Sequence, residues 1–326
     1  MYTSLHRLLR LFVFIFFSTS TSLAQIEHDF SRQADAVARI ILSNALRQDI
    51  DALGCDYVVQ STRVKGYAQF KEKLLALVKD SKPLVFTLVG FPFKSRNTQK
   101  NVLGPLPDQA ERAALEGLHA FMGDISRVYP PGAKVQIYTD GLAFCDVIGV
   151  SHRTVACYEH ALKLLAADLS SVSIITLQDL HPGLSFDQIQ NRIKEQPVSE
   201  PLDKTQQEIL EKRLLREFDD PEGRTFLKRA SLARTAQEMH RRSQQINALY
   251  KKTFPESIAL SVHYQHDIGK KIGISLLTGV LTPWHGTAVL RQDGSFEIRR
   301  RCDIGDTHVL TSHTINGIDC SFYKKS

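Results

Sequence analysis

Cysteine is sparse in this chain: there are five in 326 residues, and no two are spaced as CxxC. An odd number in that arrangement argues against a fully paired disulfide framework. Cys55, Cys145, Cys157, Cys302 and Cys320 read as small core residues, with room for one bridge, such as Cys302 to Cys320, if the protein is exported. No GxxxxGK[ST] run occurs, so a nucleoside triphosphate is not indicated. Zinc-finger spacing, RNP motifs and aromatic-basic interleaving are also missing, and with them the support for a nucleic-acid partner. Neither internal repeats nor low-complexity tracts are visible, which excludes solenoid and disordered classes.

What remains is ordinary globular material, 43% hydrophobic and 23% charged, enough to bury a sizeable core. The 41 basic and 35 acidic residues leave a formal charge of +6, a mild excess that favours small anionic ligands. The amino terminus carries His6, Arg7 and Arg10, then the apolar run Leu11 to Phe17, then small residues with Ser22 and Ala24 at the cleavage-site positions. This predicts a signal peptide over residues 1–24 and hence an extracytoplasmic protein; the run is too short for a comfortable membrane span.

Residues 25–326 read as a single α/β domain. A helix over Asp29 to Leu53 and a second over Tyr67 to Lys79 lead to the apolar run Leu84 to Val89, which has the unbroken hydrophobicity of a strand covered on both faces. Helix Asp108 to Tyr129, strand Lys134 to Tyr138, helix Thr154 to Asp168 and strand Val172 to Thr176 follow. The alternation predicts a Rossmann-like, doubly wound, mainly parallel sheet. Residues 186–252 are charged and helical, with breaks at Pro197 to Pro201 and Asp219 to Gly223. Strands then return at Ile258 to His263, Lys271 to Leu277, Thr287 to Leu290 and Phe296 to Arg300, the last two joined through Asp293-Gly294 as an antiparallel hairpin.

In such sheets ligands gather beyond the carboxyl ends of the strands. Three of those ends are polar: the loop Gly90 to Asp108 (GFPFKSRNTQKNVLGPLPD), the turn Thr139-Asp140-Gly141, and the turn Gln178-Asp179. Lys94, Ser95, Arg96, Asn97 and Lys100 offer donors that suit an anion, although a basic surface loop has the same composition. Asp108 and Glu111 have capping-box spacing at the next helix start. Asp140-Gly141 is also a common turn sequence. Arg234 and Arg241 are seven apart on one helix face, fit either to share an anion or to be solvated. His263 and His266 form HxxH, with His285 further on. There is no HExxH, cysteine partner or carboxylate at ligand spacing beside them, so no metal is assigned; a hydrogen-bonded buried histidine and a proton-transfer or phosphate-binding role both stay open.

The loop wording resembles the signature of the isocyanide (isonitrile) synthase family, which includes the pyoverdine and dityrosine biosynthesis proteins. The matching residues are Gly90, Phe91, Pro92, Lys94, Ser95, Asn97, Lys100, Leu103, Gly104, Leu106, Pro107 and Asp108, with Asn101 inserted. Tyr129 to Lys134 (YPPGAK), Asp140-Gly141 with Phe144 and Asp146, Leu260 to His263, and Thr282 to Gly286 (TPWHG) resemble further family segments. Ala259 stands where the family usually has Arg, and Tyr264 where it usually has Pro.

The resemblance implies an isonitrile synthase. The amino group of L-tyrosine or L-tryptophan would condense with ribulose 5-phosphate, without organic cofactor or metal, upstream of an Fe(II)/2-oxoglutarate oxygenase. In that chemistry Lys94, with Ser95, Asn97 and Lys100, would hold phosphate. His263 and Asp140 would shuttle protons, and Trp284 and His285 would line the pocket. Two other readings stay beside it: a formyl-tyrosine-forming enzyme, and a non-catalytic binder of sugar phosphates or similar anions, motivated by Ala259 and the export signal. Ribulose 5-phosphate is a cytoplasmic metabolite, so the leader and the substrate point to different compartments.

Overall fold

The computed structural model describes residues 25, 27–45, 65–198, 201–229, 231–263, 265, 267–277 and 281–326. The leader, Cys55, Tyr264 and His266 lie outside the described residues. Strand β1 (Leu84–Gly90) begins the sheet at its centre, with Leu84, Phe86 and Leu88 wholly buried. It is flanked on both sides in parallel, by β2 (Ala133–Thr139) and by β4 (Ile258–Ser261). β3 (Val172–Ile175) extends the sheet beyond β2, and β5 (Ile272–Gly273) extends it beyond β4. The order β3-β2-β1-β4-β5 is therefore parallel throughout and reverses direction between β1 and β4. That reversal opens a crevice at the strand ends.

Helix α1 (residues 27–44) and α2 (Tyr67–Lys79) precede the sheet. α3 (Gln109–Val128) follows β1 and starts on the expected capping box: the Asp108 carboxylate accepts from the Ala110 amide at 2.8 Å, and Glu111 accepts from the Asp108 amide at 3.0 Å. After β2 come α4 (Gly141–Ile148) and α5 (His152–Ala166). α6 (Leu177–Leu180) follows β3, and then the helical insertion: α7 (Phe186–Lys194), α8 (Lys204–Glu217), α9 (Pro221–Arg229) and α10 (Leu232–Thr253). The break between α7 and α8 holds Pro197 and Pro201, and α9 starts on Pro221, whereas the break between α9 and α10 has neither proline nor glycine.

A second sheet holds β6 (Thr287–Leu290), β7 (Phe296–Arg299), β8 (His308–Ile315) and β9 (Ile318–Lys325), in the order β7-β6-β9-β8. It is mixed, because β6 runs parallel to β9 while the two hairpins are antiparallel. α3 joins the sheets. Leu115, Leu118, Met122 and Ile125 belong to the main core, whereas Ala110 packs with Ala288, Ile298 and Phe322 under the second sheet.

Four expectations are corrected. The strand read at Lys271 to Leu277 shrinks to Ile272–Gly273, and Ile274 makes only a single bridge to Ala45. The turn at Thr139-Asp140-Gly141 opens helix α4. The turn at Gln178-Asp179 is α6, whose capping box spends Asp179 on the Thr176 amide and hydroxyl. Cys302 and Cys320 are both unbridged, and Cys157 and Cys302 are exposed rather than core.

Candidate active site

The loop after β1 turns its polar side chains inward. Phe91 takes a left-handed φ of 55°, unusual for a non-glycine residue and a mark of a constrained strand end. The Lys94 ammonium has no solvent-exposed side-chain surface. It lies 2.8 Å from Glu111 Oε2 and 3.1 Å from Asp108 Oδ1, and it donates to the carbonyls of Pro283 at 3.0 Å and Gly286 at 3.2 Å. Burial works against its charge, but the two carboxylates outweigh burial and raise its pKa. Burial also raises Glu111, against the pull of Lys94.

The other donors of the loop are spent on the end of α8. Ser95 donates to Glu217 Oε2 at 2.7 Å, and the Arg96 amide donates to Glu217 Oε1 at 2.7 Å. Asn97 donates to the Arg216 carbonyl at 3.3 Å, and Lys100 to Asp219 at 2.7 Å. The Arg96 guanidinium lies over Phe218, 5.2 Å from the ring centroid. A phosphate site on Lys94, Ser95, Asn97 and Lys100 was the expectation; the geometry instead makes this stretch a clasp between β1, the α8 end and the Pro283–His285 turn. With every acceptor already internal, no donor of Lys94 faces solvent.

Further polar groups stand around this clasp, at the carboxyl ends of β2 and β4 and in the Pro283–His285 turn. Asp140 follows β2. Although it sits at the amino end of α4, its side chain does not cap that helix, and its buried Oδ1 has no hydrogen-bond partner. Burial, the largest influence, pushes its carboxyl up to about 7. Only glycine fits at the next position, because a Cβ on Gly141 would come within 2.1 Å of the Pro92 carbonyl oxygen. Behind Asp140, Glu159 accepts from the Thr139 hydroxyl at 2.6 Å and is itself raised to about 7 by burial.

His263 follows β4 and His285 closes the Pro283–His285 turn; both touch solvent. Yet desolvation by surrounding protein is the leading influence on each, and it brings His263 down to about 3. Side chains that reach solvent beyond the carboxyl ends of a parallel sheet lie at the crevice of its switch point. Two cations complete it. Arg213 of α8 acts on both histidines, and Lys271, at the entrance of β5, acts on His263 and Asp140. Among the described residues neither has a carboxylate within salt-bridge distance. His285 Nδ1 is 2.8 Å from the Thr282 hydroxyl, and buried Trp284 lies against Phe91 with ring centroids 5.0 Å apart. The Trp284 ring also reaches Gly90, where a Cβ would stand 3.2 Å away.

The structure thus brings together Asp140, His263, His285 and Trp284 from the residues read in the sequence, and adds Arg213, Lys271 and Glu159. No motif marked these three; Arg213 looks like any charge on a solvated helix. Arg234 is exposed, and Arg241 is held by Glu238 at 2.7 Å; neither is among the charges acting on the cleft histidines. It is the neighbouring Arg242 that is buried, bound to the Ala143 carbonyl, Asp146 and Glu238, fixing α10 to α4. Ala259 lines a small cavity of about 20 Å³ with Phe70, Lys73 and Leu74 of α2 and with Lys271. Among the described residues no group of three or more His, Cys, Asp or Glu side chains is placed to hold a metal ion.

A parallel sheet with an acid, imidazoles and cations at its switch point defines an α/β protein with an enzyme-like site. The sequence profile of the pyoverdine/dityrosine biosynthesis proteins matches residues 74–225 and 222–311, and this chain belongs to that family. It is 30% identical to an L-tryptophan isonitrile synthase of Fischerella ambigua over 72% of this chain and 78% of the relative. It is 28% identical to the L-tyrosine isonitrile synthase of Pseudomonas aeruginosa over 71% and 77%. The crystal structure of the PvcA protein from Pseudomonas aeruginosa superposes with a TM-score of 0.78 at 25% identity, covering 90% of this chain and all of that one.

Proposed function

We propose that this protein is an isonitrile synthase that joins the amino group of L-tryptophan or L-tyrosine to the ketone of ribulose 5-phosphate, with later loss of phosphate and of the amino acid's carboxylate. The observation that carries the reading is the Asp140 carboxyl, whose buried Oδ1 has no hydrogen-bond partner, at the same strand ends as two cations that lack a carboxylate partner among the described residues. Each substrate carries an anionic group, a phosphate or a carboxylate, and a site that offers Arg213 without a carboxylate partner meets that demand. Imine formation needs a group that gives and takes protons near neutral pH, and a carboxyl raised to about 7 does so. His263, neutral at that pH, can relay a proton by releasing one at one ring nitrogen as it takes one at the other, with no net change of charge. Trp284 and Phe91 supply an aromatic wall. The family's named activities on tryptophan and tyrosine support the choice of amino acid, and a downstream Fe(II)/2-oxoglutarate oxygenase is the partner that the reading carries with it.

The test is incubation of the full chain with ribulose 5-phosphate and each aromatic L-amino acid, following phosphate release and product mass. Amino-acid-dependent release with an isonitrile product supports the reading. A formylated tyrosine would move it to the dityrosine-type reaction, and sugar-phosphate binding without release would make the protein a binder.

A further inference from the structure

Lys271 is held by a neutral oxygen, as is Lys73, which donates to the Ser257 carbonyl at 2.7 Å. Lys94, Lys100, Lys163 and Lys194 each meet a carboxylate within 3.6 Å. Lys271 instead donates to a neutral amide oxygen, Asn247 Oδ1 of α10, at 3.0 Å. It enters the cleft from the β4/β5 side, near enough to His263 and Asp140 for its charge to act on both. The Asp140 Oδ1 beside it is buried and unpartnered. A lysine kept for fixed charge sits against a carboxylate. One that is half-buried, held at its nitrogen by a neutral acceptor and placed near a carboxyl with a buried, unpartnered oxygen has the setting of an amine nucleophile.

We infer that the Lys271 amine attacks the ketone carbon of the sugar phosphate and carries it as an imine, which the amino acid's amine then displaces. This rests on the function proposed above and adds a covalent step to it. The Lys271 nitrogen bonds to the carbonyl carbon, and the carbonyl oxygen takes a proton to become a hydroxyl. Asp140 in its acid form protonates that hydroxyl, which leaves as water while the nitrogen lone pair forms the C=N bond. The amino acid's amine adds to the same carbon. A proton passes from it to the Lys271 nitrogen through the Asp140 carboxylate, the bond from Lys271 to carbon breaks, and the free lysine returns. Nothing is oxidised or reduced. Burial disfavours the ammonium form of Lys271, with only Asp140 opposing, which raises the share of amine able to attack.

The experiment is borohydride reduction of the full-length protein with ribulose 5-phosphate alone, followed by peptide mass analysis. The expected result is inactivation and a mass gain on the Lys271 peptide equal to the sugar phosphate less one oxygen atom. Lys271→Arg, which keeps the charge, should melt as the wild type does, form no adduct, and lose phosphate release by at least about 100-fold. An electrostatic lysine would leave Lys271→Arg substantially active and the wild type unlabelled. Phosphate release by a wild-type protein that forms no adduct, or labelling of a different lysine, overturns the inference and leaves the proposed function standing. Absence of phosphate release with either tryptophan or tyrosine overturns both.

Discussion

Lys94 donates to the carbonyl of Gly286 across the β1 loop, 3.2 Å away, while its neighbour Ser95 gives its backbone amide to the Trp284 carbonyl at 2.7 Å. The two contacts fasten the loop after β1 to the turn that carries His285. A residue that reads as an anion-binding cation is therefore a buried cross-brace. Lys94→Ala leaves Asp108 and Glu111 buried without their cation, and breaking such a network by removing one partner costs about 3–5 kcal/mol. The expected outcome is a lower urea midpoint with the slope unchanged. A variant with the wild-type midpoint and no activity would instead return Lys94 to the reaction itself.

Much of this architecture was legible. β1 announced itself by an unbroken apolar run, which only a strand covered on both faces can carry, and the Asp108/Glu111 pair announced the start of α3. α4 was missed because Asp140-Gly141 has turn chemistry, and only the approach of Pro92 explains why glycine must stand there. β8 shows no alternating pattern, since it is mostly exposed; the signals that could have found the pair are the alternation of Ile318, Cys320 and Phe322 in β9 and Asn316-Gly317, whose φ values of 50° and 83° form the hairpin turn. In the site, sequence named residue types well and their directions poorly. Donors on a loop look alike whether they face solvent or the interior, and Glu217, which captures Ser95 and the Arg96 amide, is more than a hundred residues away. Arg213 is one turn before Glu217 on the same helix, so the captured end of α8 also presents the cation to the cleft.

Asp140 should govern the pH profile. Its carboxyl ionises near 7 in the folded chain, against about 3.9 when exposed. Asp140→Asn is expected to cut turnover about 100-fold or more and to remove the corresponding inflection from the rate profile. Stability runs the other way. The folded state binds this proton more tightly than the unfolded state, so its contribution is full below pH ~4 and is lost as pH rises to about 7. With solvent in the cleft screening part of the effect, Asp140→Asn should gain roughly 1–2 kcal/mol relative to wild type at pH 8 compared with pH 4. Denaturant melts at the two pH values check this.

His263 has the opposite sign. Its imidazole is held down to about 3 by burial and by the charges of Arg213, His285 and Lys271, so it stays neutral in the folded protein at pH 5 while an unfolded histidine takes up a proton below about 6.5. Its contribution is present above pH ~6.5 and is lost as pH falls towards 3. His263→Gln should therefore resist acid better than wild type between those limits. Nuclear magnetic resonance titration of the ring is the direct check, and an ordinary histidine pKa would remove His263 from the cleft interior.

Arg213 separates binding from chemistry. It faces the cleft without a carboxylate partner, and its charge acts on both His263 and His285. If it holds an anionic group of the substrate equally in ground and transition states, Arg213→Ala should raise KM by about 10–100-fold with kcat little changed. The fold should be intact, because Arg213 is exposed and anchors nothing among the described residues. Removing the charge also relieves the histidines, so the ring of His263 should titrate at a higher pH in the variant than in the wild type. Arg213→Lys should restore the charge and its effect on His263 while recovering only part of the KM, since an ammonium lacks the planar fork that grips a carboxylate or phosphate in two places. A variant that loses kcat and keeps KM would place Arg213 on the reacting atoms and not on a remote anionic group.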